Sequence, residues 1–267
     1  MTMTFTILGC GSSMGVPRPA LGWGDCDPAN PKNRRRRTSL LVERSGPGGL
    51  TRVLIDTSPD LREQLLDAKV DWLDGVLISH EHADHVHGID DLRPLFVRKH
   101  RQLDVYMSEA ASRIVRPRFE YCFATPAGSQ YPPIANERPM RPGHMVRIEG
   151  EGGPIEVLPL LQQHGDIISL GFRFGSFGYS CDLSDMPDES AAALMGLDVW
   201  VVDALRYKPH PSHFSLADAL TWIGRLKPKR AILTNLHADL DYETLCKTLP
   251  SYVEPAYDGI SLTLTAA

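Results

Sequence analysis

The chain has 267 residues, a mass of 29.6 kDa, 42% apolar and 23% charged residues, and a net charge of −5 with a pI near 6.0. That length suits one α/β domain with a large core. The acidic balance excludes a global basic field for nucleic acid, and no run approaches the roughly 20 apolar residues of a membrane-spanning helix. The N-terminus lacks the basic flank and apolar stretch of a secretory signal. Five scattered cysteines (Cys10, Cys26, Cys122, Cys181, Cys246) form no CxxC pair and read as reduced thiols. A cytoplasmic protein is expected.

Short β-runs come first. Residues 5–11 (FTILGCG), 38–43 (TSLLVE) and 52–58 (RVLIDTS) read as strands from their β-branched residues and turn punctuation. The spacing of Leu61, Leu65 and Leu66 predicts a helix over 59–68, with Pro59 at its first position. The apolar run 74–79 predicts a buried strand that delivers the chain to His80. Then 104–108 reads as a strand and 109–119 as a helix broken at Pro117. Prolines and glycines dominate from 122 to 147 and no period survives, so about 118–147 reads as an irregular surface excursion. A strand over 155–165 carries His164 at its end. A hairpin over 170–182 turns at Gly175 and Ser176, with Asp182 at its exit. A strand over 197–205, an amphipathic helix over 215–226, a strand over 229–237, a helix over 241–249 and a closing strand over 259–265 follow. No repeat or low-complexity linker interrupts the chain, so one domain over 1–267 is expected.

His80, His164, Asp182 and His237 each fall where an apolar strand ends, and such residues can converge along one sheet edge. The densest cluster is LISHEHADHVHGIDDLR at 77–93, with His80, His82, Asp84, His85 and His87. On a helix, at about 100° per residue, His80 and Asp84 would lie on one side with His82 and His85 nearly opposite. A loop leaving a strand can instead direct the same side chains into two sets. Imidazole nitrogens suit zinc, manganese or iron, and a carboxylate offsets the charge of a second dication. The bland alternative is a polar surface loop. A lone HxH would leave it standing, but HxHxDH directly after an apolar strand argues against it.

These motifs resemble the metallo-β-lactamase superfamily, whose pattern is HxHxDH followed by a histidine, a bridging aspartate and a last histidine. The chain offers SHEHADH, QQHGD, SCDLSD and TNLHADLD in that order. The resemblance implies an α/β (α+β) fold, a four-layer αββα sandwich in a single domain. It also implies two divalent ions per chain, manganese or zinc, with iron as an alternative. His80, His82 and His164 would hold one ion and Asp84, His85 and His237 the other, with Asp182, in preference to Asp185, bridging both. Many relatives have histidine where Asn235 stands, so Asn235 and His237 both stay open for the last position. His87 and Asp90 would support the ligands by hydrogen bonds.

The N-terminal LGCGSSMGVPRP and CDPANPKNRRRRTSLLVE extend the resemblance to PhnP-type cyclic phosphodiesterases. In phosphodiesterase branches a non-ligand histidine precedes a helix between the bridging aspartate and the last ligand. His213 matches that place, and His210 is a weaker competitor for contact with substrate. The implied activity is hydrolysis of a small phosphodiester, cyclic or nucleotide-like, by a hydroxide bridging the two ions, with His213, Asp84 and Asp182 as catalytic residues. His213 would protonate the leaving alkoxide or steady charge on phosphate oxygens. Gly9, Gly11 and Gly15 lack dinucleotide-binding spacing and are expected to permit a tight loop beside the metals. Some of these enzymes carry a cysteine cluster for a structural zinc. Only Cys26 stands there, so no third metal site is expected. Of arginines 34–37, alternate side chains must face opposite sides, and one or two could reach a phosphate or loop carbonyls.

The metals alone do not choose a substrate. A lactonase or thioesterase fits the same architecture. So does a tRNA 3′-processing nuclease, although 122–147 offers few positive charges for an exosite. A non-catalytic metal- or nucleotide-binding protein is a third reading. The expected partner is a small phosphodiester or nucleotide-like substrate, with no membrane and no strong nucleic-acid surface, and a homodimer left open.

Overall fold

The structure, a computed structural model, describes residues 2–265. The chain first lays down β1 (Thr2–Gly9), β2 (Ser39–Gly46), β3 (Gly49–Ile55), β4 (Gly75–Leu77), β5 (Leu103–Met107) and β6 (Ala135–Pro139). It then builds a second sheet from β7 (Val146–Ile148), β8 (Ile155–His164), β9 (Ile167–Phe174), β10 (Phe177–Ser180), β11 (Val199–Asp203), β12 (Arg230–Thr234) and β13 (Val253–Pro255). Finally β14 (Ser261–Thr265) returns to pair with β1. The strand orders are β14-β1-β2-β3-β4-β5-β6 and β13-β12-β11-β10-β9-β8-β7.

Both faces of each sheet are buried, and sequence alternation sets which residue goes where. In β2, Leu40 and Val42 pack between the sheets with Phe5, Phe172, Phe177, Val201 and Ile232. Leu41 points the other way, into a layer with Leu54, Leu61, Leu65, Leu95 and Val115. That outer layer lies under α1 (Leu61–Asp67), α3 (Arg93–Lys99) and α4 (Glu109–Arg118). The opposite outer layer joins Trp200, Val202 and Leu233 to α6 (Asp188–Ala193), α7 (Leu216–Leu226) and α8 (Tyr242–Thr248). Helix, sheet, sheet and helix give the four-layer αββα sandwich.

Several boundaries differ from expectation. The helix expected from Pro59 begins at Leu61, because the Ser58 hydroxyl accepts the Asp60 N–H (3.1 Å) and holds 58–60 in a turn. Pro117 does not break α4, which runs on to Arg118; so near the end, the missing N–H removes only one late hydrogen bond. The excursion at 118–147 is more ordered than expected. It holds α5 (Glu120–Phe123), and it supplies β6 and β7, the edge strands of the two sheets. Edge strands need little apolar alternation, and charge and proline are typical of them, so ANERP carries little strand signal. The strand ending at 237 stops at Thr234, where Asn235 turns left-handed (φ 61°).

The arginine run serves the fold. Arg35, 2% exposed, spans the loop between β1 and β2 and the segment after β12, giving hydrogen bonds to the carbonyls of His237 (3.2 Å) and Leu240 (2.7 Å). Arg36 pairs with Asp67, and Arg37 with Asp60 (2.7 Å). Gly9 lets that loop close, since a Cβ there would lie 2.1 Å from the Arg37 carbonyl.

Candidate metal centre

β3, β4, β8, β10, β11 and β12 end at one edge of the sandwich, as the parallel pairings of β3 with β4 and of β10 with β11 and β12 require. Their ends deliver Asp56, His80, His164, Asp182, Asp203 and Asn235. After His80 the chain leaves β4 as a loop and turns into the four-residue α2 (Ala83–Val86). His82 thus stays with His80, while Asp84 and His85 face a second point. Donor atoms of His80, His82, His164 and Asp182 lie within 4.8 Å of one another, and so do those of Asp84, His85 and Asp182. Asp182 belongs to both groups, one carboxylate oxygen toward each.

The separations suit metal donors. His82 Nδ1 lies 3.2 Å from His164 Nε2. Asp182 Oδ2 lies 3.6 Å from His164 Nε2 and 3.7 Å from His80 Nε2. Donors around a tetrahedral ion with bonds of about 2.0–2.1 Å sit about 3.3–3.4 Å apart. In the second group His85 Nε2 lies 3.4 Å from Asp182 Oδ1 and 3.5 Å from Asp84 Oδ2.

Hydrogen bonds behind the rings fix which nitrogen faces inward. His85 Nδ1 donates to Asp56 Oδ2 (2.7 Å) and His164 Nδ1 to the Ser212 carbonyl (2.6 Å). The Ser79 hydroxyl donates to Asp56 Oδ2 (2.7 Å) and so receives the Nδ1 proton of His80 (3.0 Å). Each Nε2 therefore turns a lone pair toward Asp182. The Nε2 atoms of His80 and His85 are buried and find no hydrogen-bond partner among the described residues. A divalent cation is the partner their geometry accepts.

Electrostatics agree. Burial, then His85, holds His80 well below the usual imidazole range, keeping its lone pair. Burial opposes a charge on His85 too, but Asp182, Asp84 and Asp56 overcome it and raise that group well above its ordinary value, so without a cation its Nε2 carries a proton that a bound metal would replace. The second group thus attracts positive charge.

His213, placed by the loop before α7, stands beside both groups, its Nε2 3.9 Å from Asp182 Oδ2. Its Nδ1 donates to Asp203 Oδ2 (2.8 Å), a carboxylate that also accepts the Leu183 N–H (3.2 Å). Burial works against a cation here, but Asp203 outweighs it and brings His213 up to about 9. Ser215 and Asp218 form a reciprocal capping box that anchors the loop to α7. His210, its ring 5.1 Å from that of His213, lines the same cavity of about 310 Å³.

The structure therefore gathers His80, His82, Asp84, His85, His164, Asp182, His210 and His213. It does not bring His237 to the second donor group. His237 lines the cavity, but its Nε2 is 2.9 Å from an Arg18 guanidinium nitrogen. Asn235 sits closer in, its amide giving a hydrogen bond to Asp182 Oδ1 (3.0 Å). His87 is exposed and packs edge-on against Phe119, while Asp90 pairs with Arg93, so neither supports the donors. Sequence reasoning missed Asp56 and Asp203. Both end apolar strands, the same signal that singled out His80 and Asp182.

Residues 51–235 match the family model described as a beta-lactamase superfamily domain. The crystal structure of a "New Diphosphatase from the PhnP Family" is 34% identical, with a TM-score of 0.88 over 99% of this chain and 98% of that one. Zinc-bound PqqB from Methylobacterium extorquens shares the fold at 14% identity, with a TM-score of 0.72 over 97% of this chain and 99% of that one. A curated octanoyltransferase of Porphyromonas gingivalis (strain ATCC BAA-308 / W83) is 34% identical over 263 residues, 97% of this chain but 51% of that protein. The chain thus spans about half the length of that curated relative. Among the described residues no helix is long and apolar enough to cross a membrane. With its sandwich, its motifs and the match across most of its length, the chain belongs to the metallo-β-lactamase superfamily.

Proposed function

We propose that this protein is a metal-dependent hydrolase of small phosphodiesters or phosphoanhydrides, with two ions per chain. The observation that carries this reading is the pair of donor groups sharing Asp182, with a non-ligand histidine aimed at their junction. His80, His82, His164 and Asp182 would hold one ion, and Asp84, His85 and Asp182 the other. Zinc and manganese both suit this His/Asp set, with iron as an alternative. When bound, such a pair polarises a phosphoryl oxygen and lowers the pKa of water to near 7.

The chain's own residues do the rest. Ser79, Asp56 and the Ser212 carbonyl hold the imidazoles in the tautomer that donates through Nε2. Asp203 orients His213 so that its Nε2 proton faces the cavity, where a leaving oxygen would collect it. The similarity to a PhnP-family diphosphatase supports phosphorus rather than carbon as the reacting centre. The free cysteines support a reducing, cytoplasmic setting.

The test is turnover of bis(4-nitrophenyl) phosphate by zinc- or manganese-loaded protein, beside His213→Ala. The variant should keep its metals and lose about 10²- to 10⁴-fold in turnover. Unchanged activity would remove His213 from the chemistry. The octanoyltransferase relative favours a second reading, hydrolysis at an acyl carbon as in a thioesterase or lactonase. Rapid thioester cleavage with phosphodiesters untouched would select it.

A further inference from the structure

The cavity beside the donors has a second wall, with one arginine without a salt bridge on it and another behind it. Ser12 comes from the loop after β1, Arg206 follows β11, and His237 follows β12. Behind His237 stands Arg18. An arginine stays protonated and has no acceptor, so Arg18 donates to the His237 Nε2 lone pair (2.9 Å). The His237 proton then sits on Nδ1, facing Asp239 Oδ1 (3.1 Å). This arrangement engages the nitrogen a metal would need.

Among the described residues neither guanidinium meets a carboxylate. Arg206 donates to the carbonyls of its own loop, Lys208 (3.1 Å) and Pro209 (3.0 Å). Among the described residues Arg18 and Arg206 form no salt bridge, whereas Arg36, Arg37 and Arg52 all do. Among the described residues Arg18 Nε is buried without a partner, and so is the hydroxyl of Ser12, a residue 3% exposed. Half-buried guanidinium groups with only neutral acceptors lose hydration without an ion pair in return, and a planar anion supplies what they lack.

We infer that Ser12, Arg206 and His237 on the cavity wall, with Arg18 behind His237, form a subsite for a second anionic group of the substrate, a phosphate or carboxylate. The preferred substrate is then a small organic diphosphate, or a phosphodiester bearing a further anion, rather than a singly charged diester. The substrate class rests on the phosphoester reading above; the anion site does not.

Two measurements separate them. Calorimetry on zinc-loaded protein compares phosphonoacetate, which carries a second anion, with methylphosphonate, which does not. Wild type should prefer phosphonoacetate by about tenfold or more, the worth of one charge-assisted hydrogen bond, and Arg18→Met should cut that preference to about threefold or less. Arg206→Met serves as the second variant should the first fail to fold, with the same loss expected. His237→Ala should keep the wild-type metal content by elemental analysis. Loss of metal there would make His237 a ligand and overturn its place in the subsite, and an undiminished preference in both arginine variants would overturn the subsite itself. In parallel, kcat/KM for the symmetric bis(4-nitrophenyl) diphosphate over that for bis(4-nitrophenyl) phosphate should fall about tenfold in Arg18→Met. If neither ester is cleaved while the phosphonoacetate preference depends on Arg18, the anion site stands and the phosphoester reading falls.

Discussion

Asp56→Asn tests the logic of the donor cluster without touching a donor. The Asp56 carboxylate receives three hydrogen bonds, from Ser79 N–H (2.7 Å), the Ser79 hydroxyl (2.7 Å) and His85 Nδ1 (2.7 Å). Asparagine fills nearly the same volume but offers one acceptor oxygen and an NH₂. The backbone N–H of Ser79 cannot reverse, so the oxygen must face it and the NH₂ must face His85 and the Ser79 hydroxyl. The hydroxyl then accepts instead of donating, and its own proton turns toward His80 Nδ1. Both imidazoles are pushed to the opposite tautomer, with the proton on Nε2 where a lone pair is needed. Losing one outer hydrogen bond of this kind costs about 10- to 100-fold in metal affinity, or about 1.4–2.8 kcal/mol. With two rings affected the upper end is expected. The assay is zinc retention against a competing chelator, with circular dichroism to establish that the variant is folded. A folded Asp56→Asn that holds zinc as tightly as wild type would refute the tautomer argument.

Two predictions concern stability. Phe5, 1% exposed, stacks on Phe177 with ring centroids 3.8 Å apart and planes within 9°, at the centre of the layer between the sheets. Phe5→Ala should cost about 3–5 kcal/mol, measured by denaturant unfolding; a loss below about 1 kcal/mol would mean the inter-sheet layer closes over the gap. Asp241 accepts hydrogen bonds from Asn33 Nδ2 (2.7 Å), Thr244 N–H (2.9 Å) and Asp27 N–H (3.1 Å), tying the loop before β2 to the start of α8. Burial works to raise its carboxyl, but these bonds outweigh it and bring it down to about 2. The folded value is the lower one, so the stabilisation is complete above the unfolded value of about 3.9 and fades as pH falls toward 2. The stability gap between wild type and Asp241→Asn should therefore be wide at pH 5 and nearly closed at pH 2. A gap independent of pH would contradict the assignment.

What the sequence made legible follows from how locally each feature is encoded. HxHxDH after an apolar run names its residues by type and spacing, and His164 and Asp182 follow from strand ends and motif order. Asp56 and Asp203 carry no such mark. Each works through a ring far away in sequence, 29 residues from Asp56 to His85 and 10 from Asp203 to His213. Only the strand order brings these pairs together. The choice between Asn235 and His237 stayed open for a related reason. Period-two alternation carried through 229–237 would aim residues 235 and 237 the same way. The left-handed turn at Asn235 ends that alternation, leaving the asparagine against Asp182 and swinging His237 to Arg18. The edge strand β6 stayed hidden because its residues are selected to resist pairing with other chains rather than to fill a core.

The tautomer pattern links stability to activity at the sheet edge. An imidazole buried with one nitrogen unpaired costs the fold about 1–3 kcal/mol, and this edge holds two, at His80 and His85. Natural folds keep such groups where they do something. Around them the protein is fully committed: Ser79, Asp56 and the Ser212 carbonyl each bind the far side of a ring, and Asp203 binds the far side of His213. If the rings were merely core filler, the carboxylates behind them would be a further burden, since apolar residues of equal size would pack more cheaply than buried charges. Two buried aspartates that orient histidines fit inward nitrogens that must meet a charge on a fixed line, as a bound divalent cation would supply.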